Sequence, residues 1–115
     1  AIIATTVSAR QLAAERTVSG TIGSVQSGDA GGLIRCTSGS GTTITIDPDS
    51  TTNLPTGSIV YIEQAGAGQV TIAAGSGVTI DTSETLLTAK QYAVVALIKR
   101  AADVWRLTGE RELAT

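Results

Sequence analysis

The chain contains no histidine, no phenylalanine and no methionine, and it has one cysteine, two prolines and only 3% aromatic residues. Each shortage closes off a class of structure or function. Without histidine there is no imidazole to activate a nucleophile, to serve as a general base near neutral pH or to ligate a metal. The lone Cys36 excludes an internal disulfide, and without histidine partners it makes no zinc set. With one Trp and two Tyr, the core must be built from Ile, Val, Leu and Ala, and such a core is thin. The longest apolar run, Ala93 to Ile98, falls far short of the roughly 20 residues that cross a bilayer. No charged segment followed by an apolar one opens the chain. Excess positive charge is also missing. A net charge of −2 and a pI near 4.9 provide no basic face to displace counterions from nucleic acid. Neither nucleic acid nor membrane is expected as a partner.

What is present describes one small folded domain. At 115 residues, with 42% hydrophobic and 16% charged, the chain matches the globular norm in size and composition. A chain this short buries only about 60–70% of its unfolded surface. With disulfides and zinc excluded, self-association is the remaining source of burial. Ala1 is what removal of an initiator Met before a small residue would leave, so a nearly whole gene product is expected.

Thirteen glycines and abundant Thr and Ser lie between short Ile/Val runs, a pattern of strands and tight turns. Thr42-Thr43-Ile44-Thr45-Ile46 alternates, with Ile44 and Ile46 on one face and Thr43 and Thr45 on the other. The same grammar recurs at Val70-Thr71-Ile72 and Val78-Thr79-Ile80. Each unit follows a Gly-x-Gly turn, at Gly39-Ser40-Gly41, Gly66-Ala67-Gly68 and Gly75-Ser76-Gly77. These read as hairpins whose spacing is too irregular for a solenoid of fixed period. Leu33 to Thr37, Ile59 to Gln64 and Val104 to Leu107 supply further strands. Tyr92 to Ile98 is apolar throughout and must be covered on both faces. It is either the central strand of a two-sheet sandwich or a strand with one face in a subunit interface. The expected fold is all-β, a small antiparallel β-sandwich or barrel.

The first twenty residues depart from this grammar. Ser8-Ala9-Arg10-Gln11 matches a capping box, which predicts a helix from Ala9 to about Arg16. So short a helix needs a surface to dock on. The alternative is an extended arm. Residues 1–20 are therefore assigned to an N-terminal arm and 21–115 to the β-domain.

Candidate chemistry is sparse. Asp47, Asp49, Glu63 and Asp81 are the carboxylates available outside the termini for a glycosidase-like pair, yet Asp47 and Asp49 belong to a Pro/Gly/Asx-rich loop from Asp47 to Gly57. Read as an EF-hand from Asp47, that loop puts Thr52 where Gly is required and Ser58 where Glu is required. Gly66-Ala67-Gly68-Gln69-Val70-Thr71 lacks the third glycine of a dinucleotide fingerprint, and a strand follows it. Cys36 alternates with Ile34 and reads as a small buried hydrophobe. Tyr92 and Trp105 read as packing or interface anchors. No catalytic, metal or cofactor site is expected.

Gln64-Ala65-Gly66-Ala67-Gly68-Gln69-Val70-Thr71-Ile72, then Ala74-Gly75-Ser76-Gly77-Val78-Thr79-Ile80, Lys90-Gln91-Tyr92-Ala93-Val94 and Trp105-Arg106-Leu107-Thr108-Gly109 follow one another in order. Together with Asp29-Ala30-Gly31-Gly32-Leu33-Ile34-Arg35-Cys36-Thr37 upstream, they resemble a module of tailed-phage virion proteins. The resemblance spans Asp29 to Gly109. It implies a trimeric, all-β structural part of a virion: a tail fibre, a head fibre or a capsid decoration protein. Fibre proteins of this kind carry a long shaft, which this chain lacks, so the expectation narrows to a decoration or cement protein located in the virion. Its partners would be two further copies of itself and the major capsid protein. On that reading Ile2, Ile3, Val7, Arg10, Leu12 and Arg16 anchor to the capsid, and Tyr92, Val94, Ala96, Ile98 and Trp105 form the subunit interface. The alternative is a tail-fibre or tailspike tip that recognises a host glycan through Asp47 to Gly57 and Tyr61.

Overall fold

The structure, a computed structural model, describes residues 14–114. Alternation of apolar and polar residues produces nine strands among them: β1 (Glu15–Val18), β2 (Ile22–Ser24), β3 (Leu33–Cys36), β4 (Thr42–Ile46), β5 (Ile59–Gln64), β6 (Val70–Ala74), β7 (Thr79–Thr82), β8 (Val94–Ala101) and β9 (Val104–Gly109). A single 3-10 turn occupies Ser27–Asp29. The all-β expectation holds.

The strands do not form hairpins in the first half. β1, β3 and β5 pair side by side in parallel, and so do β2, β4 and β6 in a second sheet. The chain therefore coils, placing one strand in each sheet per turn, and the strand in the opposite sheet serves as the crossover that parallel pairing requires. Five of the seven strand pairings are parallel, which corrects the antiparallel expectation. The coils stack like a short solenoid despite unequal length: Leu33 pairs with Glu15, 18 residues earlier, and Tyr61 with Leu33, 28 residues earlier. Extra residues of the longer coil leave the stack as the loop from Asp47 to Gly57, so a fixed sequence period is unnecessary.

The Gly-x-Gly turns take their meaning from this stacking. The turn at Gly66–Gly68 lies on the turn at Thr37–Gly41 of the preceding coil, and the Gly66 and Gly68 amides donate to the carbonyls of Cys36 and Ser38 at 2.9 and 3.2 Å. A Cβ on Gly68 would collide with the Gly41 backbone, and one on Gly66 with the Thr37 and Ser38 carbonyls. Glycine is required here for close approach of two backbones.

The coil is closed by antiparallel segments. β8 pairs antiparallel to β5, β9 antiparallel to β8, and β7 parallel to β9, giving a six-stranded sheet in the order β1-β3-β5-β8-β9-β7. β8–β9 is the one true hairpin among the described residues, and its turn holds Asp103 at φ 56°. The outer edge of β6 is covered by residues 86–88: Ile72 N donates to the Leu86 carbonyl and Thr88 N to the Val70 carbonyl. The Thr88 hydroxyl accepts from Val70 N at 3.0 Å and donates to the side-chain Oε1 of Gln64. An exposed row of unpaired backbone groups is thereby avoided.

Between the sheets lies one core, including Ile34, Ile44, Ile46, Val60, Ile62, Val70, Ile72, Val95, Leu97, Trp105 and Leu107. Cys36 is buried in it, and that burial pushes the thiol up from its ordinary 9.0 to about 11. The helix expected from Ala9 to Arg16 fails at its C-terminal end, where Glu15 and Arg16 are strand residues paired to β3. Ala14 is not helical either, and residues 9–13 lie outside the described residues. β1 is part of the body rather than the arm because Arg16 is clamped. Its Nε and Nη2 donate to both carboxylate oxygens of the buried Asp29 at 3.1 and 2.8 Å, and Nη2 also reaches the Ser24 carbonyl. These bonds to Asp29 hold the guanidinium still more firmly protonated than usual.

Two outcomes follow. Gly68→Ala should destabilise the fold by about 3 kcal/mol or more, whereas Gly39→Ala, with open space around it, should stay within about 0.5 kcal/mol of wild type in denaturant unfolding. Because the folded state keeps the Cys36 proton to higher pH than the unfolded state does, stability is unaffected by this group below pH 9 and declines as pH rises from about 9 to about 11. Cys36→Val should flatten that part of the stability curve.

Candidate functional site

The outer face of the six-stranded sheet carries the feature that most needs explanation. β5 and β8 alternate between fully buried inner residues and half-buried outer ones, and the outer set is apolar for most of its length. Register aligns these side chains in rows. Leu33, Tyr61 and Ala96 form one row that continues to Thr108, and Ile59 and Ile98 form the next, continuing to Arg106 and Asp81. Arg35, Glu63 and Val94 form the third. Arg35 Nε is 2.9 Å from Glu63 Oε1 and 3.6 Å from Glu15 Oε1. The bond to Glu63 and its charge raise the guanidinium's proton affinity first, with Glu15 and Tyr92 adding to it. An apolar strip thus crosses the middle of the sheet, flanked by polar strands. Its members are half-buried rather than covered.

Tyr92 stands at the end of the strip. It is 65% exposed and has φ 70°, a left-handed conformation that is uncommon for a non-glycine residue. The bond from its amide to the Gln64 carbonyl, 2.6 Å, holds that conformation in place. Val94, Ala96 and Ile98 lie on the same outer face, as a subunit interface would need. Trp105 does not. It points inward, is 2% exposed and belongs to the core, so the interface expectation is corrected at that residue. Its indole N–H has no acceptor among the described residues. Leu33, Ile59 and Tyr61 complete the strip; from sequence, Leu33 and Ile59 are named only as strand residues and Tyr61 only for the glycan alternative. The signal was present in Ile59-Val60-Tyr61-Ile62, which is apolar on both faces just as Tyr92 to Ile98 is.

Of the capsid-anchoring candidates, Arg16 is committed to Asp29 within the body. Ile2, Ile3, Val7, Arg10 and Leu12 lie outside the described residues. The loop from Asp47 to Gly57 does hold a cation, but it is the chain's own. Lys99 is 2% exposed, and its ammonium donates to Asp49 Oδ1 at 2.7 Å, Asn53 Oδ1 at 3.2 Å and the Leu54 carbonyl at 2.6 Å. The three donors of the ammonium are all used. Leu54 is thereby seated in the core, and the loop is fastened as a strut. Glu63 is engaged by Arg35 and Asp81 by Arg100, so these carboxylates are not placed as a pair.

Comparison of the chain with protein-family models, with curated proteins and with solved structures finds no match to any of them.

Lys99→Met should lower stability by about 3–5 kcal/mol, because it leaves the partly buried Asp49 carboxylate without its counter-charge. Urea unfolding and loosened amide protection across residues 49–54 would report it.

Proposed function

We propose that this chain is a structural protein of a tailed-phage virion, a trimeric capsid decoration or cement protein that binds the assembled head and stabilises it. The observation that carries the reading is the half-buried apolar strip of Leu33, Ile59, Tyr61, Val94, Ala96 and Ile98 across neighbouring strands of one sheet face. A second copy is the occupant that fits. The chain's thin aliphatic core calls for further burial, and the strip is continuous with the core strands β3, β5 and β8. Closed ring symmetry provides that burial without leaving a sticky face, and the number three comes from the resemblance to phage modules. The segment before β1, with Ile2, Ile3, Val7, Arg10 and Leu12, then serves as the arm that contacts the major capsid protein. Three arms on one rigid assembly act at high effective concentration, so contacts that are weak singly become durable together. The location that follows is the virion surface.

Ala96→Asp should convert the assembly to monomers in native mass measurement while the circular dichroism remains that of a β protein. Removal of residues 1–13, which spares the Ala14 carbonyl that accepts from Leu33 N, should leave the trimer intact and abolish binding to capsids lacking the protein. A monomeric wild type, or capsid binding unchanged by the truncation, contradicts the reading.

A further inference from the structure

A half-open cavity of about 280 Å³ lies on the flank of the six-stranded sheet, where β7, β9 and the segment after β9 meet; Asp81, Thr82, Ser83, Arg106, Thr108 and Arg111 line it. It adjoins the apolar strip, whose rows run on into Thr108, Arg106 and Asp81, and is separate from the Lys99 loop. Leu107 is the one apolar residue of the lining, so the cavity is built for a polar ligand.

The charges in it are unbalanced. Asp81 already accepts from Arg100, with Nη1–Oδ2 at 2.6 Å. Arg111 is fixed from one side only. Its Nη1 donates to Thr82 Oγ1 at 2.9 Å, the Leu107 carbonyl at 3.1 Å and Ser83 Oγ at 3.3 Å, and its Nε to the Gly109 carbonyl. Its Nη2 makes no hydrogen bond among the described residues, and neither does any guanidinium nitrogen of Arg106. Two guanidinium groups with open N–H donors therefore face one cavity in a chain whose net charge is −2.

We infer that this cavity binds the carboxylate of a single acidic sugar residue. Guanidinium groups match a planar carboxylate through paired N–H donors. The Thr82 hydroxyl is committed to Glu84 and Arg111, which leaves the Thr108 hydroxyl and the Ser83 O–H to meet sugar hydroxyls, and a hydroxyl can both donate and accept. The volume lies at the small end of ligand cavities, which suits one ring and not a nucleotide, and no aromatic side chain lines it to stack a base. The inference does not depend on capsid binding.

The full-length protein, in whatever assembly it forms, is titrated with glucuronate, with glucose and with sodium sulfate at constant ionic strength, following amide shifts by NMR. Glucuronate should give saturable shifts at Ser83, Thr108 and Arg111, glucose none, and sulfate a weaker response. Arg106→Ala removes an exposed guanidinium without an internal partner, so it should fold normally and weaken glucuronate binding at least about tenfold. Three results would overturn the inference: no saturable response to glucuronate, equal responses to sulfate and glucuronate, or undiminished binding by Arg106→Ala.

Discussion

The backbone of one coil lies directly on the backbone of the next, and at Gly66 and Gly68 there is no room between them for a methyl group. That contact fixes how far β5 and β6 may slide against β3 and β4. Register in turn decides which side chains share a row, because a slip of one residue would exchange the buried and exposed faces of every strand. Placement of Ile34, Ile62 and Val95 in one inner row, and of Leu33, Tyr61 and Ala96 in one outer row, therefore depends on those turns. The buried polar bonds around Thr88 and Gln64 and the Arg16–Asp29 clamp secure the two ends of the stack.

Strand positions were readable from the chain alone. Thr42–Ile46 and Ile59–Gln64 coincide with β4 and β5, because alternation reports a two-faced strand whatever its neighbours are. Strand direction was not readable, since parallel and antiparallel pairing impose the same period of two. Gly-x-Gly turns suggested hairpins for a sound local reason, but Gly66, Gly68 and Gly75 serve close packing between coils rather than reversal within one. The irregular coil lengths hid the solenoid, because the excess residues between Asp47 and Gly57 are moved outward and pinned by Lys99. Lys99 itself sits in the inward phase of Val95 and Leu97, a lone charge at a core position. Its partners are about 50 residues earlier in the chain, and spacing of that kind carries no signal. The same is true of Arg106 and Arg111, which converge on one cavity only after β9 pairs with β7.

A body of this construction suits a part that must hold its shape on a larger surface. The inner rows form the core, the outer rows of β3, β5 and β8 form the face proposed for further copies, and the flank of β7 and β9 holds the cavity proposed for a small anionic ligand. Burial of Cys36 and Trp105 within the stack also means that the chain's one thiol and one indole support the fold rather than its contacts.

Dependence on partner copies is the claim on which the functional reading rests, and thermal unfolding across a hundredfold range of protein concentration tests it directly. If the strip of Leu33, Tyr61 and Ala96 is covered by other copies, the midpoint rises steadily with concentration, as mass action requires of an assembly that unfolds as it dissociates. A midpoint that stays fixed on dilution to a demonstrated monomer would contradict it.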